Sequence, residues 1–494
     1  MNGPRTRGLA ARVAAAGLAA AAVLGGCTMI PAYQRPAAPV PARFAAATAV
    51  AGGAAGTETA AAPATAPAAE ISWRSFVEDE RLRRLIGLAL ANNRDLRVAM
   101  LNVEQARAQY RVTRSASFPT IDGSGGYTAE RSASVAIPGF ASIPGFSSSP
   151  GLITRQWSAS IGTNSYELDL FGRVRSLNQQ ALEKFFATAE AQRDAQITLV
   201  AEVATQYFTL READEQLELA QQTLVSVQGA YDLNKISFDA GENNELDLRT
   251  AEGQVQTARI NVVSYERARA QALDALVLLV GRPLPADLPA PRAFDDASLL
   301  APVPPGLPSD LVQRRPDILE AEHTLKAANA NIGAARAAFF PTISLTGSLG
   351  TTSTQLSGLF GAGNGTWNFA PQISVPIFAG GENRANLDVA RISTRIDVAD
   401  YEKAIQTAFR EVADALVADD TYARQIAAEV DAIKAQQRRL ELATLRYREG
   451  EDTYLNVLSA QQDLYSAQQG RLEAQFNRLS SQIALYQALG GGWK

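Results

Sequence analysis

From Glu382 to Arg448 the chain contains neither proline nor glycine. This restricts the fold more than any other feature, because a helix of this length spans about 100 Å at 1.5 Å per residue. Its apolar positions are Ile405, Phe409, Val412 and Leu416, then Ala423, Ile426, Val430, Ile433, Leu440 and Tyr447. Including Asp419, Gln437 and Thr444 gives an unbroken alternation of fours and threes, a heptad seam over about six heptads. Gly450 ends the run. A second helix then returns with Tyr465, Leu472, Phe476, Leu479, Ile483 and Tyr486 at the same spacing. No turn is written into 382–448, so the rod cannot fold back on itself and must project as a hairpin.

The same plan occurs earlier in the chain. Asp95 and the run Phe118-Pro119-Thr120-Ile121 match Asp317 and Phe340-Pro341-Thr342-Ile343 at a shift of 222 residues. Leu170-Phe171-Gly172 matches Ile377-Phe378-Ala379-Gly380. Phe238, Gly241, Leu246, Leu248 and Ala251 match Tyr447, Gly450, Leu455, Val457 and Ala460 at a shift of 209, which holds to Gly281 against Gly490. The body is therefore one unit written twice, at 71–281 and 309–494, with a Pro-rich connector at 282–308. The first copy predicts its own long helix, about Val174–Ala240, a break at Gly241, and a return from Leu246 to Val280. In the second copy a shorter helix starts at Asp317, just after Pro316, and stops before Pro341.

Between the shorter and longer helices the period changes to two. Trp367, Phe369, Ile373, Val375 and Ile377 share one face, with Asn368, Gln372 and Ser374 on the other. Ile343, Leu345 and Leu349 alternate with Ser344, Thr346 and Ser348. In the first copy, Gln156–Leu170 alternates with a phase change near Asn164, which predicts a β-bulge. Strands of about ten residues, apolar on one face and polar on the other, suit a barrel wall with lipid outside and water inside. Each chain supplies only four. Four cannot close a barrel, and an open edge in lipid leaves N–H and C=O groups unpaired. Several chains must share one barrel, and three would make twelve strands around a water-filled lumen. The expected class is an α+β membrane protein: four strands per chain in a barrel shared between chains, twelve-stranded if three contribute, with long antiparallel hairpins.

Composition removes other classes. After the first 26 residues the net charge is −8, a poor match for nucleic acid. One Cys and one His exclude a disulfide framework and make a Cys- or His-based metal site untenable. His323, beside Glu320 and Glu322, lacks further ligands and reads as structural. No nucleophile elbow or phosphate loop is present, so no enzyme and no cofactor are expected.

Residues 1–26 read as an export signal, with Arg5, Arg7 and Arg12 before the apolar stretch Val13–Leu24. Leu24-Gly25-Gly26-Cys27 looks like a bacterial lipobox, which predicts acyl groups on Cys27. Thr28, rather than Asp, suits delivery to the outer membrane. Residues 27–70, dominated by Ala and Pro, read as a lipid-anchored tether.

Several long motifs then converge. The runs Leu307–Glu322 and Ala334–Ser348, with Ser165–Val174, Val375–Gly381 and Cys27–Pro36, closely resemble the outer-membrane factor lipoproteins of tripartite efflux pumps. These are the TolC-like channels of resistance-nodulation-division systems. The resemblance runs from Cys27 to about Gly490. It implies a trimer in the cell outer membrane with a helical tunnel through the periplasm. It also implies two protein partners, a periplasmic adaptor and an inner-membrane transporter.

The resemblance further implies that the adaptor docks on the hairpin tips. The matching positions are Phe238, Gly241, Leu246, Asp247 and Leu248, and Tyr447, Gly450, Leu455, Asn456 and Val457. A Cβ at either glycine is expected to obstruct close helix approach. In the family a Leu five residues after the second Gly and an acid nine after it ring the constriction. Leu455 matches, whereas the acidic position is Ser459, which leaves Asp452 or Asp463 to supply charge. Arg315-Pro316-Asp317 is a family signature for which packing or ion pairing is the expected role. The leading expectation is a passive exit duct for small molecules. The alternatives are a duct for type I protein secretion and a coiled-coil scaffold lipoprotein with no channel.

Overall fold

The computed structural model describes residues 28–41, 72–131, 153–242, 244–294, 300 and 314–491. The expected signal peptide, Cys27, most of the tether and about half of the connector lie outside these residues. The elements in chain order are α1 (Trp73–Phe76), α2 (Glu80–Asn92), α3 (Arg94–Ser115), β1 (Asp122–Arg131), β2 (Ile153–Leu168), α4 (Arg173–Asp239), α5 (Glu245–Val280), α6 (Pro316–Ala337), β3 (Thr342–Ser353), β4 (Gly365–Ser374), α7 (Glu382–Arg448) and α8 (Tyr454–Ala488). Helices α4 and α7 are each 67 residues long, so the duplication is preserved to the residue in its longest element. No helix among the described residues is long and apolar enough to cross a membrane.

Two compact units arise from interleaved stretches, each drawing on both sequence copies. The first comprises 28–35, Gln105–Phe185 and His323–Val398. It holds one antiparallel sheet of order β1-β2-β3-β4. Ile161, Leu349 and Trp367 are direct cross-strand neighbours on one face, as are Leu168, Ile343 and Ile373. Glu167, Ser344 and Gln372 pair on the other. The phase change near Asn164 is a bulge: the register shifts between Thr163 and Tyr166, and Ser165 takes a left-handed φ of 54°. The extra residue returns Tyr166 and Leu168 to the face of Ile161, so the apolar side stays continuous. Strand β4 stops at Ser374, short of Val375 and Ile377, which the alternation included. Pro376 between them lacks the N–H that a ladder needs.

The junctions below the sheet are held by side chains. Asp169 accepts from the backbone N–H groups of Val174 (3.1 Å) and Arg175 (2.9 Å), which caps α4. Phe171 stacks on Phe340 with centroids 4.9 Å apart, bringing the β2–α4 and α6–β3 junctions together. His323 Nδ1 lies 2.7 Å from Glu183 Oε2, consistent with a structural role. The stretch after Cys27, read from the sequence as a tether, forms no helix or strand over 28–41 and is fastened. Asn329 Nδ2 donates to the Pro31 carbonyl at 2.9 Å, and Arg336 Nη1 donates to that of Met29 at 3.2 Å.

The second unit holds the main core. Trp73, Phe76, Leu82, Leu85 and Ile86 pack with Tyr207, Phe208, Leu276, Val280, Ile483 and Tyr486. Asp79 starts α2 by accepting from the Arg81 and Leu82 amides, and its other oxygen accepts from the Tyr207 hydroxyl at 2.8 Å. Along α7 the buried set is Tyr401, Ile405, Ala408, Val412 and Ala415. The seam is therefore offset by one position from Phe409 and Leu416, because the alanines allow closer approach. From Leu416 to Tyr447 the seam positions are only half-buried in one chain, and Gln437 is exposed.

Arg315 is 9% exposed and satisfied four times. Its Nε and Nη2 form a fork on Asp317 (3.0 and 2.8 Å), and Nη1 reaches Glu411 (2.8 Å) and the Ala488 carbonyl (2.9 Å). The expected packing and ion-pairing role is the observed one.

Candidate functional site at the helical hairpin ends

The two hairpin ends share one backbone solution. Gly241 and Gly450 have φ of 76° and 74°. In the first, the Gly241 N–H donates to the Phe238 carbonyl and that of Glu242 to Ser237, both at 2.9 Å. In the second, Gly450 donates to Tyr447 (3.1 Å) and Glu451 to Arg446 (2.9 Å). These are Schellman closures, which need a left-handed residue just past the helix. A Cβ at either glycine meets nothing within 4 Å. The expected steric obstruction is absent within the chain, and backbone conformation is what calls for glycine here.

The return helices begin differently. Asn244 caps α5 reciprocally: its Oδ1 accepts from the Asp247 N–H at 2.9 Å, while its Nδ2 donates to Asp247 Oδ2 at 3.0 Å. At α8 the Thr453 N–H donates to Asp452 Oδ1 at 2.8 Å, and Asn456 Nδ2 donates to the same oxygen. The Asn456 bond, then that N–H and the nearby Arg446, hold the Asp452 carboxyl below its ordinary range.

The positions singled out in the sequence divide into two groups. Leu246 and Leu455 project, 75% and 66% exposed, with Asn456 beside Leu455 also exposed. Phe238, Asp247 and Leu248 are half-buried. Val457 faces inward, clustered with Ala251 and Tyr454 against Tyr231, Leu440 and Tyr447. This cluster joins the two hairpins. Tyr447 adds a hydroxyl bond to Asn234 Oδ1 at 2.9 Å, and its ring sits 5.5 Å from that of Tyr454. Between the hairpins lies a groove of about 1010 Å³, lined by Asn234, Asp247, Tyr447, Asp452 and Tyr454 among others.

Ser459, where an acid was expected, accepts from Arg439 Nη2 at 3.2 Å. The same guanidinium pairs with Asp463 one turn further along. Asp463 is thus neutralised across the α7–α8 hairpin, and neither aspartate offered as a substitute for the missing acid is unpartnered. Arg439, Asn234 and Tyr454 did not emerge from the sequence, because nothing local marks them: each acts on a residue from another helix. Among the described residues no group of His, Cys, Asp and Glu could hold a metal ion.

Residues 85–282 and 307–491 match the family model Outer membrane efflux protein. The chain is 47% identical over 471 residues to the antibiotic efflux pump outer membrane protein ArpC of Pseudomonas putida, covering 95% of this chain and 94% of that one. It is 48% identical to the solvent efflux pump outer membrane protein SrpC of Pseudomonas putida, covering 95% and 96%. Among solved structures, the open state of the MtrE outer membrane channel of Neisseria gonorrhoeae superposes with a TM-score of 0.81 at 38% identity, covering 95% of this chain and 99% of that one.

Proposed function

The chain belongs to the outer membrane efflux protein family, and on that premise we propose that three copies close one twelve-stranded barrel and form the exit duct of a tripartite pump. The observation that carries this reading is the order β1-β2-β3-β4, open at both edges. The outer strands of one copy, β1 and β4, run antiparallel to each other, so β4 of one copy continues the ladder with β1 of the next. Exposed Trp367, Phe369 and Ile373 on β4 then meet lipid, and the polar face lines water. The half-buried stretch of the α7 seam completes its burial against neighbouring copies.

The duct performs no chemistry. Small molecules handed over by an inner-membrane transporter diffuse through it, and the adaptor engages the hairpin ends through exposed Leu246 and Leu455 and the groove between them. Three Leu455 side chains meeting on the axis constrict the closed state by excluding water. Opening follows from sliding of the helices at the tip. Cys27 carries the acyl groups that hold the chain to the outer membrane.

Ion conductance of the purified protein in planar bilayers, with its mass in detergent, tests this reading. A conducting trimer is expected. A monomer with no conductance would overturn it.

A further inference from the structure

The segment just after Cys27 lies in a closely fitted site. Gly333 is buried within α6, and a Cβ there would lie 2.6 Å from both Ile30 Cγ1 and Ser176 Oγ, and 2.9 Å from the Ile30 amide nitrogen. Three segments thus converge within the volume of one methyl group: the strap, α6 and the first turn of α4. On either side of the slot, Asn329 and Arg336 grip the carbonyls of Pro31 and Met29. The Lys326 ammonium lies 5.3 Å from the centre of the Tyr33 ring, within cation–π range. Residues 329, 333 and 336 follow helical spacing and form one stripe along α6. An extended tether has no need of such a stripe, because a free chain is solvated and takes many conformations.

The place of the slot gives it meaning. It lies four residues before the end of α6, which leads into β3, and against Ser176, shortly after β2. These are the junctions that the Phe171–Phe340 stack brings together. Ile30 stands three residues after Cys27, and three residues reach at most about 11 Å.

We propose that α6 carries a receptor for the chain's own strap, Met29–Tyr33, centred on Gly333, and that docking pins the acylated end beside the junctions that feed the two central strands. The strap braces α4 against α6 there and sets the depth at which each sheet meets the bilayer. The lipid half of this proposal rests on acylation of Cys27; the docking half does not.

The full-length protein tests it with two variants. Gly333→Leu fills the slot. Asn329→Ala with Arg336→Ala releases the strap and leaves the Gly333–Ser176 contact intact. Amide hydrogen exchange over residues 28–35 is expected to quicken about tenfold or more in both, while exchange within α5 stays unchanged. Trimer in the outer-membrane fraction is expected to fall severalfold, with acylation of the mature chain retained by mass. Unchanged strap exchange in the double variant would overturn the docking site. Quickened exchange with trimer at the wild-type level would overturn its role in placing the sheet. A wild-type mature chain lacking acyl mass would remove the lipid half and the acylation proposed above, while the exchange result would still decide whether the strap has a receptor.

Discussion

The Tyr447 hydroxyl donates to Asn234 Oδ1 at 2.9 Å, joining the two hairpins across 213 residues of chain at a site where Asn234 is only 2% exposed. The repeat places Phe238 at the position equivalent to Tyr447, so the bond exists once per chain and the first copy cannot form its counterpart. Tyr447→Phe takes that donor away from a buried amide oxygen, at a cost of about 1–2 kcal/mol. Faster hydrogen exchange at both tips and a higher resting conductance of the isolated channel are the expected results.

At Gly450 conformation and surface can be separated. Because a Cβ meets nothing and φ is 74°, Gly450→Ala should cost about 1 kcal/mol and spare export. Gly450→Arg carries the same backbone cost and adds a bulky cation beside the groove. It should leave the protein folded by thermal melting while abolishing export in a small-molecule efflux assay with the assembled pump. Equal export by the two variants would remove the docking role from this surface.

Leu455→Ala is expected to raise resting conductance roughly twofold or more by widening an apolar constriction. Ser459→Asp puts a second acid within reach of Arg439, which already serves Asp463, and so returns net negative charge to the tip. The reversal potential across a KCl gradient should move toward cation preference.

Arg315→Ala strips the fork from Asp317 and the partner from Glu411. It also removes the positive charge facing Asp194, whose carboxyl is already pushed up, chiefly by burial. A loss of about 3 kcal/mol is expected. Arg315→Lys keeps the charge but not the two-pronged geometry, so chemical denaturation should show only partial rescue.

Burial, then the nearby Glu473, pushes the Glu212 carboxyl up to about 7. A carboxylate raised in the folded state favours folding when protonated. Its contribution is full below the unfolded value near 4.5 and is lost as pH rises through 7. Glu212→Gln should therefore raise the melting temperature at pH 8 by about 1–2 °C, after allowance for solvent screening, and leave it unchanged at pH 4.

Periodicity made the long elements readable. The run between Glu382 and Arg448 became one helix with those bounds, and the phase slip near Asn164 became a bulge, because both follow from local pattern. The hairpin glycines were visible for the same reason, although the cause proved to be φ rather than crowding. What escaped was long-range. Ile30 and Gly333 are ordinary residues in sequence, an apolar residue in a low-complexity stretch and a glycine inside a helix. Only the folded chain shows the fit, in which a Cβ at Gly333 would lie 2.6 Å from Ile30 Cγ1. The Arg439–Asp463 pair was hidden likewise, since a solvated and a paired carboxylate are spelled with the same letter.

The unmatched outer edges of the sheet belong to different strands, β1 and β4, which makes every junction in the proposed trimer identical and each one indispensable. A subunit unable to offer its β1 edge would leave a breach that lipid cannot heal. In a cell making intact and defective subunits equally, only about one ring in eight would close. Such a gene copy would act dominantly over its intact neighbour, and added expression of the intact copy would relieve the defect.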